Sequence, residues 1–307
     1  MRGRDIISAF DFTREDFMRL FNDAKICEKK RTLRIAEDKM AITVFLEPST
    51  RTRLSFTAAM LKIGGKVMDF GSIEASALMK GESFEDTIRM IDGYDPDVII
   101  IRHKVEGSAK MAADIAEHPV INGGDGMHEH PTQALTDLYT MYKTFGKIDG
   151  LRVGLLGDLK HGRTLSSLSY ALSMFNGVKL YCIAPPILQM RPEVVEKVKG
   201  KMPCKFYNSL EELDEEIDVL YVTRVQKERF TDLQEYERVK GSYIVTPTLL
   251  SKLKKIPIVM HPLPRVNEIT TDVDTMPQAK YFEQATNGMY VRMALLAAVM
   301  GLKMPAD

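Results

Sequence analysis

Residues 42–56 hold the densest chemistry in this chain. An apolar run, Ile42-Thr43-Val44-Phe45-Leu46, ends at Glu47-Pro48, and Ser49-Thr50-Arg51-Thr52-Arg53 follows before an amphipathic segment from Leu54. The pattern predicts a buried strand feeding a helix whose first turn holds hydroxyls and guanidiniums. A helix N-terminus offers unpaired backbone N–H groups and the positive end of the peptide dipole, which together make an anion site. Arginine adds bidentate hydrogen bonds that match phosphate geometry. The stretch therefore reads as a cradle for phosphate or carboxylate. The competing reading is a plain hydroxyl cap. Against it, two arginines in the first turn oppose the dipole, which favours acids there.

Further segments carry groups of the same kind. Arg102-His103 follows the buried run Val98-Ile99-Ile100-Ile101, at the strand end where open α/β sheets bind ligands; a simple salt-bridge partner fits this dipeptide equally well. His130-Pro131-Thr132-Gln133 opens a helix, with proline at its first position, His130 at the cap and Gln133 one turn in. The preceding Asn122-Gly123-Gly124-Asp125-Gly126 reads as a flexible glycine-rich loop. His128-Glu129-His130 lacks the four-residue spacing of a helical zinc pair, so no metal is expected. Gly157–Thr164 follows a strand and opens a helix, but without the glycine spacing of a dinucleotide fingerprint, and a nicotinamide cofactor is not expected. Thr223–Arg229 and His261-Pro262-Leu263-Pro264-Arg265 also follow strands. The two prolines stiffen the backbone, and Leu263-Pro264 is a candidate cis peptide. Such a backbone can present carbonyls to a ligand, or be only a rigid turn.

Arginines at several strand ends suit several anionic groups held at once. No serine–histidine–acid order stands out and no thiol has a clear partner. The residue types favour catalysis by positioning and electrostatic stabilisation.

The elements that must position these groups alternate. Strands are expected at 41–46, 66–70, 97–101 and 119–121, then at 152–156, 179–183, 218–222 and 256–260. Helical patterns lie between them, so the class is α/β with parallel sheets. Pro131–Phe145 reads as one helix dividing the two series, with a turn at 146–150, and the main domain boundary is expected near residue 148. A last apolar helix is expected over 287–302, and the acidic cluster Glu211–Glu216 reads as a solvated helix face.

The whole chain sets outer bounds. Its 307 residues suit about two domains. Apolar residues make up 45% and charged residues 27%, as in ordinary globular proteins. Lys plus Arg equals Asp plus Glu at 42 each, so bulk charge offers nothing to nucleic acid. No apolar run has the roughly 20 residues of a membrane span, so no membrane is expected. The first residues lack the apolar stretch of a secretion signal. Cys27, Cys182 and Cys204 are few and scattered, which suggests buried reduced thiols and a cytoplasmic protein.

Taken together, these segments resemble the catalytic chains of the aspartate carbamoyltransferase family over nearly the whole length. Ser49–Arg53, Arg102-His103 and His130–Gln133 look like the carbamoyl-phosphate signature of carbamoyltransferases at large. Arg163 in its glycine loop, Thr223–Arg229 and His261–Arg265 look like the aspartate branch. Ornithine enzymes usually carry cysteine where Pro262 stands.

The resemblance implies two doubly wound parallel-sheet domains joined by interdomain helices. Residues 1–148 would bind carbamoyl phosphate, with the C-terminal helix 287–307 packing back on them; residues 149–286 would bind aspartate, with the site in the cleft. It implies transfer of the carbamoyl group to the amine of L-aspartate, giving N-carbamoyl-L-aspartate and phosphate, an early step of de novo pyrimidine biosynthesis. By the same resemblance Ser49, Thr50, Arg51 and Thr52 hold the phosphate. Thr52, Arg102 and His130 contact the carbonyl oxygen and Gln133 the carbamoyl nitrogen, while Leu263 and Pro264 give backbone contacts. Arg163 and Arg224 grip the two aspartate carboxylates, with Gln226 nearby.

In the family, the loop matching residues 71–85 crosses into a neighbouring subunit's site. Ser76, with carbamoyl phosphate, and Lys80, with aspartate, match its functional positions. Arg51, Thr52, Lys80, Arg102 and His130 would be the catalytic set. A homotrimer with shared sites is implied, with no cofactor or metal of its own, and with a zinc-containing regulatory chain as a possible partner. Met79 and His161 depart from the lysine and tyrosine that family members often carry. The rivals are a carbamoyltransferase with another amine acceptor, such as ornithine, and a catalytically silent ligand-binding scaffold.

Overall fold

The computed structural model describes residues 1–71 and 81–306. Two compact units form, Met1–Thr136 with Thr286–Asp307, and Asp137–Ala285. The first division falls inside the helix Pro131–Phe145.

In the first unit, β1 (Met40–Phe45), β2 (Lys66–Asp69), β3 (Val98–His103) and β4 (Val120–Asp125) form a sheet in the order β2-β1-β3-β4. Every pairing is parallel. Val98, Ile99, Ile100 and Ile101 are all buried, as a strand covered on both faces requires. Ile99 and Ile101 join Ile42, Val44, Ile88 and Val120 in one core. The free edge of β4 is covered by a parallel bridge from Ile6 to Ile121. Asn122–Asp125, expected as a loop, continues β4 and is buried. The reason is the Asn122 side chain. It donates to Ile7 O at 2.9 Å and to Asp125 Oδ1 at 2.8 Å, and accepts from Gly124 N at 2.8 Å, so the local polar groups are satisfied without solvent.

The helices of this unit are α1 (Arg14–Lys30), α2 (Thr50–Lys62), α3 (Phe84–Asp92) and α4 (Ser108–Ile115). α1 follows the usual rules of helix ends. Thr13 and Asp16 form a capping box, Glu15 and Asp16 sit in the first turn, and Lys29 and Lys30 in the last. α5 (Pro131–Phe145) has the expected limits.

In the second unit, β5 (Arg152–Leu156), β6 (Lys179–Ile183), β7 (Cys204–Tyr207), β8 (Val219–Val222) and β9 (Ile258–Met260) form a parallel sheet in the order β7-β6-β5-β8-β9. β7 was not expected: it is a short edge strand with Lys205 and Phe206 exposed, so it lacks the apolar run that marks the others. Helices α6 (Arg163–Leu172), α7 (Pro192–Val198), α8 (Leu233–Val239) and α9 (Pro247–Ser251) follow, and α10 (Tyr281–Val299) leads back to the first unit. Tyr181, Leu220, Val222, Val259 and Tyr281 lie in the core.

The acidic cluster is not a helix face. Leu210–Glu212 is a short 3-10 turn, Glu215 accepts from Tyr181 Oη at 2.6 Å, and Glu216 pairs with Arg152 at 3.0 Å. Cys27 and Cys182 are buried, but Cys204 is only half-buried. Burial pushes the Cys27 thiol up to about 12, far from reactive. Among the described residues no helix is long and apolar enough to cross a membrane.

At the amino edge of the second sheet, Asp218, just before β8, ties the start of β5 to the segment leading into β9. It accepts from Arg152 N at 3.0 Å, from Arg152 Nε at 3.1 Å and from Lys255 Nζ at 2.8 Å. Burial pushes its carboxyl up, but these hydrogen bonds outweigh that and hold it at about 2 against an ordinary 3.8. A depressed carboxylate stabilises the fold above its unfolded value and loses that contribution as pH falls through the folded one. Asp218→Asn is therefore expected to lower the thermal midpoint near neutral pH, and to lose less further stability than the wild type as pH falls from about 4 toward about 2.5. Parallel acid profiles for the two proteins would contradict this.

Candidate active site

In each sheet the strand order reverses once. From β1 the chain moves outward to β2, and from β3 it moves the other way to β4; in the second sheet the reversal lies between β5 and β8. Such reversals leave a crevice outside the carboxyl ends of the two strands. The candidate residues emerge there in both units.

In the first unit, Phe45 is in register with Arg102, and Leu46 N donates to Arg102 O at 2.8 Å. The chain then enters α2. Ser49 occupies the N-cap but makes no side-chain cap bond, and the first turn holds no acid. This contrasts with α1, α3, α8 and α9, whose N-caps all accept from the helix backbone. Thr50 and Arg51 are exposed and Thr52 is buried. Arg53 turns aside to Asp69 at 3.6 Å. Arg102 is half-buried, with Nη1 donating to Gly123 O at 3.1 Å and Nε 3.1 Å from Glu47 Oε2.

His130 is 3% exposed, with Nε2 3.4 Å from Thr52 Oγ1. Gln133 stands half-buried in the first turn of α5, its backbone N donating to His130 O at 3.0 Å. Ser49–Thr52, Arg102, His130 and Gln133 thus all lie on segments at the carboxyl edge of the first sheet, with Thr52 and His130 in contact. The loop before His130 is tied down by two buried acids. Asp125 accepts from Gly107 N at 2.9 Å and from His128 Nδ1 at 3.2 Å. Glu129 accepts from Ser8 Oγ at 2.6 Å and from Ala9 N at 2.8 Å. His128 and Glu129 are therefore engaged in holding the loop, and among the described residues no three His, Cys, Asp or Glu side chains are grouped to hold a metal.

In the second unit, the loop after β5 reaches α6, where Arg163 is buried at the first position. Gly162 at the N-cap offers no side-chain cap, and this first turn also lacks an acid. Gly157 has φ +132°, and a Cβ there would lie 2.4 Å from Thr223 O, so the loops after β5 and β8 can approach only through glycine. Buried Asp158 joins them. It lies 2.9 Å from His161 Nδ1 and accepts from Gln226 N at 3.2 Å. His161 packs on Phe230 with ring centroids 4.8 Å apart. Arg224 is half-buried and paired with Glu228 at 3.0 Å, and that carboxylate raises the guanidinium pKa.

After β9, the Leu263–Pro264 peptide is cis and Leu263 has φ 57°, a rare region for a bulky residue. His261 supports this turn: Nδ1 accepts from Leu263 N at 2.8 Å, and Nε2 lies 2.6 Å from Glu268 Oε1. Arg265 forks onto Asp274, with Nη2 to Oδ2 at 2.6 Å. Arg163, Arg224, Gln226, Leu263 and Pro264 therefore all lie in the second unit, on loops at the carboxyl edge of its sheet. Ser76, Met79 and Lys80 lie outside the described residues.

Sequence reasoning missed the supporting groups Glu47, Asp158, Glu129 and Glu268. Glu47, Asp158 and Glu129 meet partners remote in sequence, at Arg102, Gln226 and Ala9, and Glu268 meets His261 across the turn after β9.

Two parallel α/β units, each presenting basic side chains where its strand order reverses, define an enzyme suited to two anionic substrates. Residues 4–143 match the aspartate/ornithine carbamoyltransferase carbamoyl-P binding domain, and residues 149–299 match the Asp/Orn binding domain of the same family. The chain belongs to the aspartate/ornithine carbamoyltransferase family, on its aspartate carbamoyltransferase branch. It is 54% identical over 301 residues to the aspartate carbamoyltransferase catalytic subunit of Pyrobaculum calidifontis, covering 97% of this chain and 98% of that one. Among solved structures, the catalytic subunit of the M. jannaschii aspartate transcarbamoylase superposes with TM-score 0.87 at 47% identity, covering 97% of this chain and 98% of that one. The Trypanosoma cruzi enzyme in complex with carbamoyl phosphate and aspartate superposes with TM-score 0.92 at 37% identity, covering 97% of each chain. The expected family and the expected pair of parallel sheets are both found.

The His261–Glu268 pair gives a pH dependence with a definite sign. Burial holds the imidazole below its ordinary 6.5. Burial also pushes Glu268 up, but the His261 bond and backbone donors outweigh it and hold the carboxyl low. A buried neutral histidine loses stabilisation as pH drops below the unfolded value, because the unfolded chain takes up the proton first. His261→Gln is expected to flatten the fall in thermal midpoint between about pH 7 and about pH 5.5. A slope unchanged from wild type would contradict this.

Proposed function

We propose that this chain's transfer of the carbamoyl group from carbamoyl phosphate to L-aspartate runs by positioning and electrostatic stabilisation, with the two units dividing the substrates. The open first turn of α2 carries this reading: Ser49 does not cap it, no acid occupies it, and Arg51 and buried Thr52 stand on it. A dianionic phosphate supplies acceptors that the Ser49 side chain and the acid-free first turn do not. Ser49, Thr50, Arg51 and Thr52 hold the phosphate. Thr52, Arg102 and His130 donate to the carbonyl oxygen, Gln133 holds the carbamoyl nitrogen, and the backbone at Leu263 and Pro264 adds contacts. In the second unit Arg163 and Arg224 take the two carboxylates of aspartate, assisted by Gln226.

The amine nitrogen attacks the carbonyl carbon. A C–N bond forms and the carbonyl oxygen gains negative charge. As the C–O bond to phosphate breaks, phosphate leaves with the bond's electron pair and takes a proton from the amine. The products are N-carbamoyl-L-aspartate and phosphate, a step of pyrimidine biosynthesis. Donors aimed at the oxyanion act on charge that exists only along the reaction path, which is where binding energy raises kcat.

Ser76 and Lys80 come from a neighbouring subunit of a homotrimer, so that each site draws on two chains. A zinc-containing regulatory chain is a further candidate partner, and the sparse, widely spaced cysteines suit a cytoplasmic location.

Offering aspartate and ornithine separately with carbamoyl phosphate tests the acceptor. Carbamoyl-aspartate alone is expected, and turnover of ornithine instead would overturn the roles of Arg163 and Arg224. His130→Ala is expected to lower kcat about 10²–10³-fold, and unchanged turnover would remove its oxyanion role. Arg224→Ala is expected to raise KM for aspartate about 10–100-fold, as loss of a charge-assisted pair implies. Mixing inactive Lys80→Ala chains with inactive Arg51→Ala chains should restore activity in mixed trimers. No recovery would count against shared sites.

A further inference from the structure

The proposed oxyanion role of His130 needs a hydrogen on one particular ring nitrogen. Nε2 faces Thr52, and only an Nε2–H can donate toward a carbonyl oxygen bound there. A neutral imidazole carries one hydrogen, and the partner of the other nitrogen decides where it sits. His130 Nδ1 lies 3.5 Å from Thr132 Oγ1. Thr132 is fully buried at the start of α5. Among the described residues its hydroxyl has one other partner, Arg292 Nη2 on α10, at 3.3 Å.

Arginine only donates. The Thr132 oxygen therefore accepts from Arg292; it keeps a second lone pair, but among the described residues the only partner able to take its own hydrogen is His130 Nδ1. That makes Nδ1 the acceptor and puts the ring hydrogen on Nε2. Arg292 is itself fixed: it is 4% exposed, Nη1 donates to Ser55 Oγ at 2.9 Å, and its guanidinium lies 5.0 Å from the centre of the Phe56 ring. Ser55 and Phe56 belong to α2, the helix that carries Thr52. One buried arginine thus braces the α2 turn and orients the hydroxyl behind the imidazole.

We infer that Arg292 and Thr132 are positioning residues that set the tautomer of His130, placing its hydrogen on Nε2. The inference rests on the proposed oxyanion role, but its test does not depend on turnover alone. Protein labelled with ¹⁵N-histidine reports each ring's tautomer, and His130→Ala identifies the His130 signals among those of the six histidines. The wild type is expected to show the Nε2–H form. Thr132→Val keeps the shape but removes the hydroxyl; it should move His130 toward the Nδ1–H form and lower kcat at least about tenfold, with a smaller change in KM for carbamoyl phosphate. Thr132→Ser restores the hydroxyl and should restore both. An Nδ1–H wild type overturns the inference, and so does a Thr132→Val enzyme that keeps both the Nε2–H form and its kcat. If His130→Ala left kcat intact, the oxyanion role would fall, while the tautomer spectra would still judge the relay.

Discussion

A parallel sheet sends every strand's carboxyl end to the same edge, and a reversal of strand order opens a crevice there. This chain does so twice, and both times the helix beyond the crevice starts without a cap or an acid. Helices α1, α3, α8 and α9 are capped by hydroxyls or acids in the ordinary way, while α4 and α7 also lack a side-chain cap. The first turns of α2 and α6 are those at which the proposed mechanism holds its anionic groups. In the proposed mechanism substrate takes the place that a capping side chain would otherwise fill, so the site forgoes a cap's stabilisation of about 1 kcal/mol and keeps its donors for the ligand.

Open donors are useful only if they are held still, and buried polar groups behind each crevice do this. Asp125 and Glu129 secure the loop that delivers His130. Asp158 joins the loops after β5 and β8. His261 and Glu268 support the turn at Leu263. Behind them Asp137 accepts from Tyr221 Oη at 2.8 Å and from Gln284 Nε2 at 2.7 Å, and Gln284 accepts from His261 N at 2.9 Å. Fully satisfied networks of this sort rigidify a site, and removing one member leaves the rest without partners.

The signature segments were legible because each packs its chemistry into a few consecutive residues at a strand–helix junction. Ser49–Arg53 and His130–Gln133 are of this kind, and buried strands such as 98–101 announce themselves by continuous apolar runs. The supporting groups were not legible. Asp158 meets Gln226 at a separation of 68 residues, Glu129 meets Ala9 at 120, and Arg292 meets Thr132 at 160; no local pattern encodes such pairs. Local patterns also misled. The glycines of Asn122–Gly126 signal a loop, yet one asparagine side chain satisfies the segment as strand. Edge strand β7 was hidden by its length of four residues and by Lys205, which interrupts its apolar residues.

The central claim is that the first turn of α2 is an anion site held open by the fold. Titrating inorganic phosphate into the ¹⁵N-labelled protein, and following the backbone amides of residues 50–53, tests it most directly. The account expects saturable shifts concentrated on those amides, weakened in Arg51→Ala. Saturable binding that leaves these amides unmoved would contradict it.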